Sequence, residues 1–384
     1  MRKICLVLTS RGNYGKLKSV IEAITADSEL ELSLVVGGSL VLEKYGKVLD
    51  SEYVDLPTID RLVRFVIEGE NLLTMAKSAG LAMMEFAEVF DRLQPDVVVV
   101  IADRFECLAI AAAAAYMNIC VAHIEGGEIS GSIDESIRHA ITKMAHLHFP
   151  ATEEARERIV CLGEDSGRVW NVGATSLDVL IRLDLDSLEE IKDFQQEHGV
   201  GNVVELIHGD YLIVIQHPVT TEYEKSYEDI RQTIEAIDHL GLATIWIWPN
   251  MDAGSDAVSK AVREYREESG PGHVQFFKSL PIEVFGPLLN NAGCLVGNSS
   301  SGIREAAFLG VPVVNIGTRQ DGRRRGKNVL TVPNNKYQII DAVERQMTNG
   351  RFESDHFYGD GTAASKIVDT LRSERLSIQK MNSY

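Results

Sequence analysis

The stretch VVVVIADRFE, residues 97–106, points to the fold class more directly than any other part of the sequence. Its first five residues are aliphatic and leave no polar face, which is typical of a strand buried on both sides of a parallel sheet. Asp103 and Arg104 follow at once, and the alanine-rich segment after Glu106 predicts a helix. Because strand, polar turn and helix are the repeating unit of α/β proteins, this stretch predicts a parallel sheet covered by helices.

The same unit recurs along the 384 residues, in two series. The strands predicted in the first series are Ile4–Thr9, Leu32–Gly37, Val97–Ala102, Ile119–Ile124 and Val169–Gly173. The helices predicted between them are Tyr14–Thr25, Asn71–Leu93, Glu106–Asn118, Ile133–His146 and Glu153–Leu162. The charged, weakly periodic segment Asp184–Asp210 predicts an inter-domain connection, after which strands and helices alternate again.

The second series has the same pattern. Its predicted strands are Tyr211–His217, Ala243–Pro249, Val274–Leu280, Gly293–Gly297 and Pro312–Ile316. Its predicted helices are Tyr227–Leu240, Ser255–Glu268, Ile282–Asn290, Gly302–Leu309 and Lys336–Thr348. We therefore predict two Rossmann-like parallel-sheet domains facing a central cleft, residues 1–183 and 184–361, with the segment 362–384 packing back on the first.

The composition excludes several classes of partner. Lys and Arg number 38 against 56 Asp and Glu, a net charge of −18, so we expect no nucleic-acid partner. Five cysteines without a CxxC pair, mostly in apolar runs, predict buried free thiols in a reducing compartment. We expect no signal peptide, because Met1-Arg2-Lys3 leads straight into the first predicted strand. The apolar stretch Leu108–Ile124 is interrupted by Asn118 and His123. We therefore expect a cytoplasmic protein without a membrane segment.

Polar clusters follow the predicted strands, which is where ligands bind in open α/β sheets. Residues 10–16, SRGNYGK, place Arg11 and Lys16 near a helix N-terminus and favour an anion site, with a plain strand–helix turn as the alternative. The spacing matches neither the dinucleotide fingerprint nor the P-loop. Asp103 is equally compatible with a catalytic carboxylate and with a helix N-cap.

The richest cluster combines residues 123–128, HIEGGE, with residues 134–139, DESIRH. Four carboxylates, two histidines and an arginine fall within seventeen residues, in a loop that we predict to be too glycine-rich for packing. Carboxylates beside a pocket suit general acid and base catalysis, because burial and repulsion separate their pKa values. A metal site is the alternative, but the histidine spacings of zinc motifs are missing and we predict none.

In the second half, the most informative segment is GNSSSGIRE, residues 297–305. Backbone N–H groups and the three serine hydroxyls at a helix start would cradle a diphosphate, and Glu305 could accept the ribose hydroxyls. The alternative is a serine-rich helix cap. Arg319, after the next strand, could offset the charge on a departing diphosphate. Other binding candidates at strand ends are His217, Asn250 and Asp252.

Together these motifs resemble the UDP-N-acetylglucosamine 2-epimerase family, most closely its hydrolysing branch. The resemblance covers essentially the whole chain and is carried by Asp103–Phe105, His123–Glu128, Ser136–Lys143, Gln216–Thr221, Pro249–Gly254, Gly297–Ser300 and Asn315–Gln320. It implies a GT-B-like fold with the nucleotide held mainly by the second domain, a homodimer, and no cofactor.

The resemblance also implies residue roles. Asp103, Glu125 and Asp134 match the family's catalytic carboxylates. The expected substrate-binding residues, from the resemblance and the clusters above, are Arg11, Lys16, Arg104, His123, Arg138, His139, His217, Asn250, Asp252, Ser299, Ser300, Ser301, Glu305 and Arg319. Two departures are Ala102, where the family often has glycine, and Leu40, where it often has histidine. The second departure leaves open whether the sugar is UDP-GlcNAc or a UDP-linked 2,4-diacetamido-trideoxy sugar.

The predicted reaction is elimination of UDP to a glycal, followed by hydration with inversion at C2. Three alternatives remain: a non-hydrolysing epimerase that re-adds UDP, a GT-B glycosyltransferase, and a non-catalytic UDP-sugar sensor.

Overall fold

A computed structural model describes residues 1–43, 49, 54–69, 71–131, 133–249 and 252–383, with Arg11, Glu189 and Glu190 described by their backbone alone. The chain forms two compact units. Unit 1 comprises Met1–Ile129, Ile133–Ile181 and Phe357–Tyr384, and unit 2 comprises Ser130–Ser132 and Arg182–His356.

Unit 1 contains a six-stranded sheet. Its strands are β1 (Arg2–Leu8), β2 (Leu30–Gly37), β3 (Ile59–Val63), β4 (Val97–Ile101), β5 (Cys120–Ile124) and β6 (Leu147–Phe149). Its first six helices are α1 (Arg11–Ala26), α2 (Leu72–Leu93), α3 (Phe105–Tyr116), α4 (Asp134–Met144), α5 (Glu153–Cys161) and α6 (Thr175–Leu180). The strand order is β3-β2-β1-β4-β5-β6, and every neighbouring pair is parallel.

Unit 2 repeats this architecture. Its strands are β7 (Leu212–Ile215), β8 (Thr244–Ile247), β9 (Val274–Phe277), β10 (Cys294–Gly297), β11 (Val313–Ile316) and β12 (Val329–Val332). Its helices are α7 (Glu189–His198), α8 (Ser226–Leu240), α9 (Ser255–Ser269), α10 (Ile282–Asn291), α11 (Glu305–Leu309) and α12 (Lys336–Asn349). The order β12-β11-β10-β7-β8-β9 is again all parallel. The prediction of two Rossmann-like parallel sheets is confirmed.

The apolar strands follow from burial on both faces. In β1, Ile4, Leu6 and Leu8 lie in one core with α1 and the C-terminal helix α13 (Ala363–Ser373). The alternate residues Cys5 and Val7 lie in a second core with α2 and α3. Since neither face of the strand meets water from Ile4 to Leu8, each of these five positions requires an apolar residue.

Several sequence predictions were wrong. Residues 169–173 do not form a strand, because Val169 makes only an isolated bridge to His148. Strands β3, β6 and β12 were not predicted, since they are short edge strands and two of them expose part of their length. The segment 184–210 is not a plain connection: it contains α7, which buries Ile191 and Phe194. The prediction of buried free thiols is confirmed for four of the five cysteines and wrong for Cys161, which is exposed.

The strand order places the polar loops. In each sheet the chain winds outward in both directions from a central pair, β1 and β4 in unit 1 and β7 and β10 in unit 2. Loops that leave such a pair diverge and open a crevice at the carboxyl ends of the strands. No helix in the described part of the chain is long and apolar enough to cross a membrane.

Candidate active site

The turn after β4 brings Asp103 out of the sheet. Ala102 takes a left-handed conformation, with φ +60°, while its N–H donates to the Ile124 carbonyl at 2.9 Å. The next helix, α3, begins at Phe105, with Arg104 at its N-cap position. Asp103 therefore lies outside the cap, and the alternative that it caps the helix is wrong. Glycine adopts this left-handed conformation without strain, whereas alanine does not.

A buried arginine joins the loops that carry the carboxylates. Arg138, one turn into α4, is only 1% exposed. Its guanidinium donates to Asp103 Oδ2 and, at 2.8 Å, to the Glu128 carbonyl. Burial alone would lower the pKa of Arg138, but the charges of Asp103, Glu128 and Asp134 outweigh burial and raise it. One cation thus gathers the loop after β4, the loop after β5 and the first turn of α4.

Glu125 has its own cation. It follows β5 with a left-handed φ of +59° and is fully buried. Lys16 Nζ of α1 lies 2.7 Å from Glu125 Oε2. The structure therefore gives Lys16 a carboxylate partner within unit 1, and its predicted contact with substrate stays a prediction. The side chain of Arg11, the other basic residue of this segment, lies outside the described atoms.

His123 and the glycines are packing elements. His123 is fully buried, its Nε2 lies 2.8 Å from the Ala102 carbonyl, and burial lowers its pKa to about 3, so the ring is neutral. A Cβ on Gly126 would lie 2.8 Å from His123 Nδ1, and one on Gly127 would lie 2.3 Å from the Ala155 carbonyl. The expectation that this loop is too glycine-rich for packing was wrong: it is glycine-rich because it is closely packed.

Two further predicted residues have partners within unit 1. Arg104 Nε lies 2.6 Å from Glu106 Oε1, and Glu106 is fully buried. His139 Nε2 lies 3.7 Å from Glu135 Oε1, and the pKa of His139 is lowered by burial and by the nearby Arg138 charge. This pair is displaced by one residue from Asp134 and Arg138, hence by about 100° around the helix. Leu40, at the second departure from the family, is buried in the unit 1 core.

In unit 2 one buried amide connects three loops. Asn298, directly after β10, accepts from the His217 N–H at 2.7 Å and donates to the His217 carbonyl at 2.8 Å. The main-chain carbonyl of Asn298 accepts from Arg319 Nη1 at 3.2 Å and from Gln320 Nε2 at 2.8 Å. The segments after β7, β10 and β11 are thereby fixed to one another. Asn298 and Gln320 were not among the predicted site residues, although both lie within the motifs that carry the resemblance.

The serine segment is a tight turn formed by partly exposed residues. Ser299 caps a single 3₁₀ turn, Ser300–Gly302, and its Oγ accepts from the Ser301 N–H at 3.3 Å and the Ser301 hydroxyl at 2.8 Å. The capping alternative is therefore correct for Ser299, while all three serines remain partly exposed. Helix α11 starts only at Glu305, later than predicted.

Glu305 is a buried acceptor. It is 5% exposed, and within the described ranges its Oε2 has no hydrogen-bond partner. After β8, the Asp252 carbonyl accepts from the Ser255 N–H at 3.0 Å, whereas Asn250 lies outside the described residues. Across the described part of the chain, no group of three His, Cys, Asp or Glu side chains is placed to hold a metal ion.

Fold and polar loops together define an α/β protein of the class that binds ligands beyond the carboxyl ends of its strands. The particular family follows from the sequence: the UDP-N-acetylglucosamine 2-epimerase family model matches residues 22–372, and the chain belongs to this family. The resemblance drawn from the motifs is confirmed, and the protein is an enzyme of this family.

Relatives match over nearly the full length. A UDP-N-acetylglucosamine 2-epimerase of Neisseria meningitidis serogroup B is 34% identical, over 97% of this chain and 96% of the relative. A UDP-N,N'-diacetylbacillosamine 2-epimerase (hydrolyzing) of Legionella pneumophila is 31% identical, over 100% and 98%. The fold is shared with Methanocaldococcus jannaschii UDP-GlcNAc 2-epimerase, solved with UDP-GlcNAc and UDP, at a TM-score of 0.78, 21% identity and coverage of 96% and 99%.

Proposed function

We propose that this protein is a hydrolysing 2-epimerase that converts a UDP-linked 2-acetamido sugar and water into the 2-epimeric free sugar and UDP. The observation that carries the proposal is the carboxylate cluster of unit 1, in which Arg138 and Lys16 hold Asp103 and Glu125 at the ends of neighbouring strands. The Legionella relative, a hydrolysing 2-epimerase, supports the hydrolysing outcome.

The polar loops of unit 2 supply the nucleotide-binding part of the proposal. The partly exposed serines 299–301 offer hydroxyl donors to a diphosphate, and Arg319 offers a charge-assisted donor beside them. Glu305 Oε2, which has no hydrogen-bond partner among the described residues, could accept from the hydroxyls of a ribose, and this would remove the cost of burying a polar atom without a partner. These residues are proposed to bind the UDP part of the substrate, which is the leaving group.

The carboxylates are proposed to act on the sugar ring. The C1–O bond breaks with its electron pair leaving on UDP, and a carboxylate takes the C2 proton, so that a C1=C2 double bond forms. Water then adds its hydroxyl to C1, and a proton is delivered to C2 from the opposite face. Inversion needs proton transfers on two faces, hence separate carboxylates, for which Asp103, Glu125 and Asp134 are available.

A panel of UDP-sugars incubated in D₂O and followed by NMR tests the reaction. We expect UDP to be released in step with a free 2-epimeric sugar that carries deuterium at C2. Deuterium in a product that is still UDP-linked would indicate the non-hydrolysing epimerase. Full retention of the C2 proton would overturn the epimerase mechanism: turnover with an acceptor would then favour a glycosyltransferase, and binding without turnover a sensor.

A further inference from the structure

The segment after α13 lies along unit 1 and is held there by polar contacts. We call residues 374–383 the C-terminal strap. Lys380 Nζ donates at 2.8 Å to the carbonyl of Lys143, in the last turn of α4, and at 2.7 Å to the carbonyl of its C-cap residue Ala145. The Ile378 carbonyl lies 3.0 Å from His146 Nε2, and the Ser383 N–H donates to the Gly163 carbonyl at 2.8 Å.

A buried carboxylate, Glu164, contacts both the C-terminal strap and α4. Glu164 is 4% exposed and receives Lys380 Nζ and Lys143 Nζ, each at 2.6 Å, as well as His148 Nε2 at 3.2 Å. With two carbonyls and this carboxylate, Lys380 uses all three of its N–H donors. An ammonium group at a helix carboxyl end also interacts favourably with the helix dipole.

The two ends of α4 are held differently. At its amino end the N-cap residue is Ile133, whose side chain has no capping group. At the carboxyl end, Lys380 occupies carbonyls that would otherwise lack intrahelical partners. The helix has 11 residues and is about 16 Å long, so a shift at one end is transmitted to the other.

We propose that Lys380 is a positioning residue, which fixes the carboxyl end of α4 and thereby sets the place of Asp134 and Arg138 at its beginning. The inference rests on the proposed function, since it assumes that Asp134 and the Arg138–Asp103 pair take part in the reaction. Lys380 does not touch the substrate in this account and acts only through the helix.

The test compares Lys380→Met with Lys366→Met. Lys366 is a matched control, because it lies in the same C-terminal part of unit 1 and its ammonium is 3.7 Å from the exposed Asp360 rather than on α4. We expect kcat of UDP release to fall on the order of tenfold in Lys380→Met, since small misplacements of catalytic groups have effects of this size or larger. The Kd of UDP should change less than twofold, and Lys380→Arg should restore most of the lost kcat.

Hydrogen exchange gives a readout that is independent of activity. Amides 138–145 of α4 should exchange faster in Lys380→Met than in Lys366→Met. Equal kcat in the two variants would overturn the proposal even if the melting temperature of Lys380→Met is lower, because the strap would then serve stability alone. If the wild-type protein releases no UDP, the proposed function fails. If the α4 amides exchange equally in both variants, the proposal that Lys380 positions α4 is overturned.

Discussion

Replacing Asp103 with Asn tests the reaction and the architecture of the carboxylate cluster together. The change removes one negative charge beside Arg138, which is almost completely buried, while the Asp103 side chain is 18% exposed. The amide still offers an oxygen to the guanidinium, so the contact is weakened rather than lost.

The expected loss of stability follows from that contact. A hydrogen bond to a charged group contributes about 1.5–3 kcal/mol, and the Asn contact with the charged guanidinium should fall from the upper to the lower end of this range, so the change should cost about 1–1.5 kcal/mol. The cost stays well below the roughly 3–5 kcal/mol of a fully broken buried pair, because the Glu128 carbonyl and the Asp134 charge still compensate Arg138. Loss of a general acid or base should in addition lower turnover about 10²–10⁴-fold.

Urea unfolding, calorimetric titration with UDP and UDP release separate these effects. For Asp103→Asn we expect a lower unfolding midpoint, a sharply reduced rate and a nearly unchanged Kd of UDP, since the proposed diphosphate site belongs to unit 2. Arg319→Ala should have the complementary effect: loss of a charge-assisted hydrogen bond should weaken UDP binding by about 1.5–3 kcal/mol.

Turnover of Asp103→Asn within about threefold of wild type would refute the catalytic assignment, because a general acid or base contributes far more than that. A parallel loss of UDP affinity and turnover would refute the separation of binding from chemistry. Unchanged stability would show that the Arg138–Asp103 contact contributes little.

Two further predictions concern the fold around the site. Ala102→Gly should raise the free energy of unfolding by about 0.5–1 kcal/mol, because it removes roughly 1–2 kcal/mol of strain from the left-handed backbone at a smaller cost in conformational entropy of the glycine. A lower unfolding midpoint in urea would contradict this argument. Burial alone would raise the pKa of Glu164, but hydrogen bonds from His148, Lys143 and Lys380 lower it from 4.5 to about 2. The contribution of ionised Glu164 to the free energy of unfolding is therefore complete above pH 4.5 and is lost as the pH falls towards 2. Glu164→Gln should therefore be about 3 kcal/mol less stable at pH 7, and the difference from wild type should close in urea titrations below pH 4.5. A difference that does not depend on pH would rule out the Glu164 charge as its cause.

Much of the architecture was predictable from local sequence. A strand such as β4 is buried on both faces, so every one of its residues is aliphatic. The amphipathic helices between the strands are recognisable by the regular spacing of their apolar residues. The order of strands and polar turns also indicated that reactive side chains would gather at strand ends. Prediction failed where the local signal is weak: β6 has three residues, β3 carries charges at an edge, and α7 lies in a charged segment.

The sequence alone thus determined the two-sheet fold class, the family and the list of candidate carboxylates. Only the tertiary structure decided which cation each carboxylate meets, since Arg138 pairs with Asp103 across 35 positions and Lys16 with Glu125 across 109. Such pairs depend on sheet order and on the left-handed turns at Ala102 and Glu125, which no local pattern encodes. The contact of the C-terminal strap with α4 is also long-range, because Lys380 lies more than 230 residues from the helix along the chain. Local residue patterns set which elements form, and the packing of distant elements sets which side chains meet.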